Sequence, residues 1–339
     1  MKSNFLSTLL PSALSVMFLL ASPILKAADA EAYVFTYFNT GPEGQSQGLQ
    51  YAYSRDGYQW QKIESPEGTF LRPEVGGKLL RDPSIVEGPD GTFHMVWTTD
   101  WWHHGIGIAH SNDLINWSKQ EYLDVMENFP GYTNCWAPEI FYDEITETYL
   151  IFWASTIPGK FPGTEGKGET FTKPAVKGVK ASHRMYLTTT KDFKTYSPTE
   201  LFYDDGYNCI DAFIVRDEER ERYVMVLKDE EKFPEPRKDL RIAFAESPFG
   251  PWGESSDPIS PHWVEGQSLL KVGDEWLLYF DAYTRKVYEG LKTRDFENWT
   301  SITEQLVVPE GMRHGTPFPV SEKILAGLIA AGSKDSSKD

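Results

Sequence analysis

The sequence is short of cysteine, of basic charge and of long hydrophobic runs. Its 339 residues include 2 Cys, too few for a disulfide framework to hold a chain of this size. Cys135 and Cys209 either pair in an oxidising compartment or stay as buried thiols. Lys and Arg number 33 against 50 Asp and Glu, a net charge of −17. Such a surface repels phosphate backbones, so nucleic acid is not an expected partner. It suits an anionic polymer only where the site carries basic groups of its own. One apolar stretch, Phe5 to Leu20, stands alone at the N-terminus, which excludes a multi-span membrane protein. Preceded by Lys2 and followed by Ala28-Asp29-Ala30, it reads as a cleaved signal peptide over 1–30. A periplasmic or extracellular location follows, with no membrane span after cleavage.

Aromatic residues are plentiful instead: 11 Trp, 17 Tyr and 20 Phe. Together with a 40% hydrophobic content they exclude disorder, and they suit packed sheets or the stacking surfaces of a sugar site. A short motif recurs through the chain. It appears as Ser54-Arg-Asp56-Gly-Tyr-Gln-Trp60, Ser111-Asn-Asp113-Leu-Ile-Asn-Trp117 and Thr190-Lys-Asp192-Phe-Lys-Thr-Tyr196. Looser and later copies are Glu246-Ser-Pro-Phe-Gly-Pro-Trp252 and Thr293-Arg-Asp295-Phe-Glu-Asn-Trp299. Each follows β-type alternation, as an Asp turn between hairpin strands would. Five copies with almost no helical periodicity predict a β-propeller.

The residues upstream of each copy agree. Asp82, Glu139, Asp211 and Glu265 each open an apolar strand that is followed by a turn and a second apolar strand. A fifth opener, His314, lies near the C-terminus without outer strands, and strands without an opener lie at Tyr33–Phe38, Leu49–Ser54 and Gln59–Ile63. The expectation is an all-β fold, one five-bladed β-propeller of four-stranded blades over 31–325, its last blade closed by both chain termini, with a tail over 326–339. Pro158–Ala181 is expected as a loop on one face. First strands line a propeller's channel, so four carboxyls and one imidazole from equivalent positions are expected to converge on the axis.

These residues resemble glycoside hydrolase family 43. Arg81-Asp82-Pro83-Ser84-Ile85 is similar to the family's first-blade motif, Trp136-Ala137-Pro138-Glu139 to its second and Ile210-Asp211-Ala212 to its third. Val264-Glu265-Gly266 is similar to the motif of the general acid, and Arg313-His314-Gly315 to the fifth-blade motif. The resemblance implies Asp82 as general base, Glu265 as general acid and Asp211 as the residue that tunes the acid. It places His314 on the axis, where a structural calcium ion or a water accompanies it in the family, and it implies no required cofactor. Glu139 in place of Asp, Ala212 in place of Pro and Gln267 in place of Pro mark a divergent branch.

The chemistry also follows from the residue types. Cleaving a glycosidic bond needs one carboxyl to protonate the leaving oxygen and one carboxylate to activate water. Asp82 and Glu265 fall on non-adjacent blades, which leaves room for that water, and Asp211 would raise the proton affinity of Glu265 by like-charge repulsion. Trp101, Trp102, His103 and Trp136 are candidate walls of the sugar site, with Glu139, Lys228, Arg285, Arg313 and His314 as candidate polar partners. The expected activity is inverting hydrolysis of plant or algal poly- or oligosaccharide, of α-L-arabinofuranoside, β-D-xyloside or galactoside type. The alternatives are a non-catalytic carbohydrate-binding propeller and a related five-bladed fructan hydrolase or glycoside phosphorylase.

Overall fold

A computed structural model describes residues 32–40, 46–129, 131 and 134–333. The expected signal peptide at 1–30 lies outside the described residues. Five small antiparallel sheets form a five-bladed β-propeller. The first complete blade is β4 (Arg81–Glu87), β5 (Phe93–Thr98), β6 (Ile106–Ser111) and β7 (Glu121–Leu123). The second is β8 (Trp136–Asp143), β9 (Thr148–Thr156), β10 (His183–Thr190) and β11 (Glu200–Tyr203). The third holds β12 (Cys209–Asp217), β13 (Arg222–Asp229) and β14 (Leu240–Ala245); the fourth holds β15 (Glu265–Val272), β16 (Glu275–Ala282), β17 (Val287–Thr293) and β18 (Thr300–Ser301).

The closing blade joins the two ends of the chain, as the sequence predicts. β19 (Met312–Arg313) and β20 (Pro317–Val320) both pair with β1 (Ala32–Thr40), which pairs with β2 (Ser46–Ser54), and β2 with β3 (Gln61–Ile63). Ala32 is opposite Val320 and Phe38 opposite Arg313. Inner strands β4, β8, β12, β15 and β20 follow one another around the axis.

Middle strands are buried on both faces because each blade stacks on its neighbours, so they read as continuous apolar runs rather than alternations. All nine residues of β9 are buried. The core therefore lies between blades. Phe35 meets Trp60 at 5.1 Å and Tyr279 of the fourth blade at 5.5 Å, and the Tyr279 hydroxyl donates to the Gly57 carbonyl at 2.7 Å.

The recurring Asp motif is the turn after each third strand. In the turn after β6, Ser111 Oγ accepts from the Leu114 amide at 2.9 Å, and Asp113 Oδ1 accepts from Ile115 and Asn116 at 2.9 and 2.7 Å. Asp56, Asp192 and Asp295 repeat the pattern. The looser copy has Pro248 where the others carry Asp, and only Ser247 remains to cap its turn.

Two expectations need correction. The third blade has three strands, not four. Residues 253–260 run beside β14 with Ser256 bonded to Ile242 at 2.8 Å and Ile259 to Leu240 at 2.8 Å, but Pro258 and Pro261 carry no amide hydrogen to extend a ladder. The supposed tail is helical as far as Ser333: α1 (Glu322–Ser333) buries Leu325 and Leu328 against the closing blade. Cys135 and Cys209 are both buried free thiols.

Candidate active site

Each inner strand begins with a bulge, and the bulge decides which way the opening residues point. Pairing slips by one residue between Arg81 and Ser84, Trp136 and Glu139, Ile210 and Phe213, and Glu265 and Ser268. The slip is made by a residue in the left-handed region: Asp82 at φ +50°, Ala137 at +44°, Asp211 at +54° and Gly266 at +60°. In the closing blade Arg313 and His314 fill the same two places. The five ionisable openers are therefore not equivalent. Asp82, Asp211 and His314 share the bulged position, Glu265 stands one residue before it with Arg81 and Arg313, and Glu139 stands two residues after it.

His314 is the hub. Its Nδ1 faces Asp82 Oδ1 at 3.4 Å and its Nε2 faces Glu139 Oε1 at 3.8 Å. Burial works against its charge, but these two carboxylates, with Asp211, raise its proton affinity well above the usual imidazole value. For Asp82, burial acts upward but is outweighed by the hydrogen bond and charge of His314, by Arg81 and by Thr98, whose hydroxyl donates at 2.8 Å. The Asp82 carboxyl is held at about 2. Glu139 is raised by burial and by Asp211, although Ser84 Oγ donates to it at 2.5 Å. Asp211 is pushed up to about 6, first by burial and then by Glu265 and Asp82.

Glu265 is engaged by cations on both oxygens. Lys228 Nζ lies 3.2 Å from Oε2, and Arg313 Nη2 donates to Oε1 at 2.8 Å. Lys228 is fully buried and also meets Glu230 at 2.7 Å; Arg313 also binds Asp281. Lys228 and Asp281 are the cross-strand neighbours of Ile210 and Glu265, as Thr98 is of Arg81. Sequence reading named Lys228 but missed Asp281, Thr98 and Ser84. The available signal was position: Thr98, Lys228 and Asp281 each sit at or near the end of a second strand, opposite a bulge.

Trp101, Trp102 and Trp136 pack into one aromatic cluster, which Phe171 joins. Trp136 Nε1 donates to the Trp101 carbonyl at 2.7 Å, and the Trp136 ring lies 5.9 Å from Trp101 and 5.4 Å from Trp102. Phe171, from the 158–181 loop, closes on Trp102 at 4.7 Å and on Trp136 at 6.0 Å. Two candidates turn elsewhere. His103 faces Asp100 at 3.7 Å and Tyr122. Arg285 is committed to Glu289 through two nitrogens, at 2.6 and 3.0 Å, and to the His262 carbonyl. A groove of about 950 Å3 leads away from Arg313 and Asp281 past Tyr283 and Lys286.

The calcium ion or water that the resemblance implies would lie beside His314, whose two ring nitrogens face the Asp82 and Glu139 carboxylates. Among the described residues no three His, Cys, Asp or Glu side chains are grouped so as to hold a metal ion. Nor is any described helix long and apolar enough to cross a membrane.

Comparison with known proteins agrees with this geometry. A family described as a probable glycosyl hydrolase domain, related to family 43, matches residues 29–325. An α-L-arabinofuranosidase of Bifidobacterium longum subsp. longum is 22% identical over 157 residues, which are 42% of this chain and 14% of that protein. The chain thus spans a small part of the length of that curated relative. Among solved structures, the exo-β-1,3-galactanase of Phanerochaete chrysosporium with β-1,3-galactotriose has a TM-score of 0.50 at 12% identity, over 70% of this chain and 52% of the other. The arabinanase of Bacillus subtilis has a TM-score of 0.48 at 15% identity, over 74% and 82%. At these identities the likeness is one of fold. With most of its length matched, the chain belongs to the glycosyl hydrolases related to family 43.

Proposed function

We propose that the chain hydrolyses glycosidic bonds with inversion, Asp82 acting as general base and Glu265 as general acid. The observation that carries this reading is the state of Asp82. It is held ionised at about 2 by His314 and Thr98, on a blade that does not adjoin that of Glu265. A carboxylate fixed in that state can take a proton from water while the second carboxyl protonates the leaving oxygen. Lys228 and Arg313 then meet the negative charge that Glu265 carries once its proton has gone. Asp211 stands between the two as a tuner. The expected substrates are arabinose- or galactose-containing poly- or oligosaccharides, met outside the cytoplasm after removal of residues 1–30. Trp101, Trp102 and Trp136 supply stacking surface for the sugar.

The test is a panel of p-nitrophenyl glycosides and plant or algal polysaccharides, with the released anomer followed by NMR. Wild type is expected to release the inverted anomer. Asp82→Asn and Glu265→Gln are each expected to lose about 10²–10⁴-fold in kcat/KM. Retention of configuration would overturn the mechanism, and sugar binding without release in all three proteins would overturn the enzyme reading.

A further inference from the structure

We propose that Arg81 is a carboxylate-binding residue of the sugar site, so that the glycoside this chain accepts carries a uronic acid. The inference rests on the glycosidase reading above and names its substrate class. Arg81 takes the first bulge position of its blade, the position held elsewhere by Glu265 and Arg313, and directly precedes Asp82. Its guanidinium carbon lies 4.5 Å from the centre of the Phe38 ring and 4.5 Å from that of Trp101. Two rings over one guanidinium hold its plane and leave the N–H donors free at the edge, an arrangement matched to the two oxygens of a carboxylate. Trp101 is 43% exposed, so the fork lies at the mouth of the site, within reach of a ligand.

The charges around it make the case. Lys228 is paired with Glu230 and Glu265, Arg313 with Glu265 and Asp281, and His314 with Asp82 and Glu139. The Arg81 guanidinium has no hydrogen bond or ion pair with any described residue; Asp82, the carboxylate beside it, is bonded to Thr98 and faces His314. Arg81 acts on Asp82 by charge alone, and it is the one cation of the group whose side-chain N–H donors meet no carboxylate, clamped at the opening. A neutral sugar hydroxyl would take one N–H of the fork, whereas the two oxygens of a uronate take two with a charge-assisted bond. The protein's net charge of −17 repels acidic polymers at a distance, so an acidic sugar would be held by a local cation of this kind.

The experiment has a binding arm and a turnover arm. Wild type, Arg81→Met and Arg81→Lys are titrated calorimetrically with D-glucuronate, D-galacturonate, their methyl esters and galactose 6-sulfate. All three proteins are checked for folding by circular dichroism. Wild type is expected to bind one uronate about 10- to 100-fold tighter than its ester, the range for a charge-assisted pair. In Arg81→Met that ratio is expected to fall to about one, and in Arg81→Lys to fall partway. Equal binding of acid and ester by wild type, tighter binding of the sulfate, or an unchanged ratio in Arg81→Met would each overturn the inference. In the turnover arm, uronate-bearing oligosaccharides are compared with the same oligosaccharides after carboxyl reduction. Release from the reduced substrates with no acid preference would overturn the inference and leave the glycosidase reading standing. Acid-selective binding with release from neither would do the reverse.

Discussion

Asp82 and Asp211 occupy the same bulged position of their strands, yet one is held at about 2 and the other at about 6. Burial pushes both upward; the difference lies in who faces them. Asp82 has His314 and Thr98, whereas Asp211 accepts from the Gly266 amide at 3.1 Å but feels Glu265 and Asp82 as well. A carboxyl whose proton affinity is raised by folding disfavours the folded state once ionised. The cost is absent below the unfolded value near 3.8 and fully present above about 6. Asp211→Asn, which keeps an acceptor for Gly266, should therefore stabilise the protein at pH 7 by on the order of 2–3 kcal/mol. The gain should shrink toward zero below about pH 4 in thermal melts. An equal gain at both pH values would show that packing, not charge, is responsible. Asp82 behaves oppositely: its contribution is present above about 4 and lost as pH falls through about 2.

At the scale of the strand, the bulge is the device that aims the chemistry. Gly266 supplies it in β15 at φ +60°, and a Cβ there would come within 2.6 Å of His314 Cβ. The position thus needs glycine for its conformation and for the room it leaves the imidazole. Gly266→Ala is expected to cost about 1–3 kcal/mol in stability and to displace His314 from Asp82. The accompanying loss in kcat should be about 10²-fold, by analogy with a catalytic group moved by about an ångström. A variant with lowered melting temperature but unchanged kcat would refute this coupling. The third blade shows the converse, an edge kept short. Ser256 and Ser260 bond to the outer side of β14 through their hydroxyls, and the prolines beside them block further pairing.

For the whole molecule, closure is the dominant constraint. The C-terminal strand β20 and the N-terminal strand β1 complete one blade, and α1 seals its outer side with Leu325 and Leu328. Leu328 is fully buried and touches none of the axial residues. Leu328→Ala is expected to lower unfolding stability by about 2–4 kcal/mol, with kcat unchanged because the ring itself is intact. Denaturant unfolding alongside an activity assay checks this. A loss of kcat at full folding would mean that the helix also holds the site.

The sequence by itself determined the number of blades, the closure by both ends and the identity of the axial residues. Each of these is written in local chemistry. Ser or Thr with Asp at fixed spacing can satisfy the amides of a tight turn without help from the rest of the chain, so four such copies and the looser one at Glu246–Trp252 mark five blades. An opener without outer strands, and outer strands without an opener, call for one another. The third blade's missing strand and the helix beyond 321 were harder to see, because Pro258 and Pro261 break an otherwise extended segment and α1 is a single short helix in a β chain. Only the tertiary structure decided which axial residue meets which. A one-residue slip turns a side chain to another level of the channel. It separates Glu265 from Asp82 and Asp211, sets Glu139 two places further along, and brings Lys228 and Arg313 onto Glu265 from neighbouring blades. Partners of this kind lie far apart in the chain, and the charges that meet on the axis, not the residue types alone, hold the Asp82 carboxyl down while the Asp211 carboxyl is pushed up.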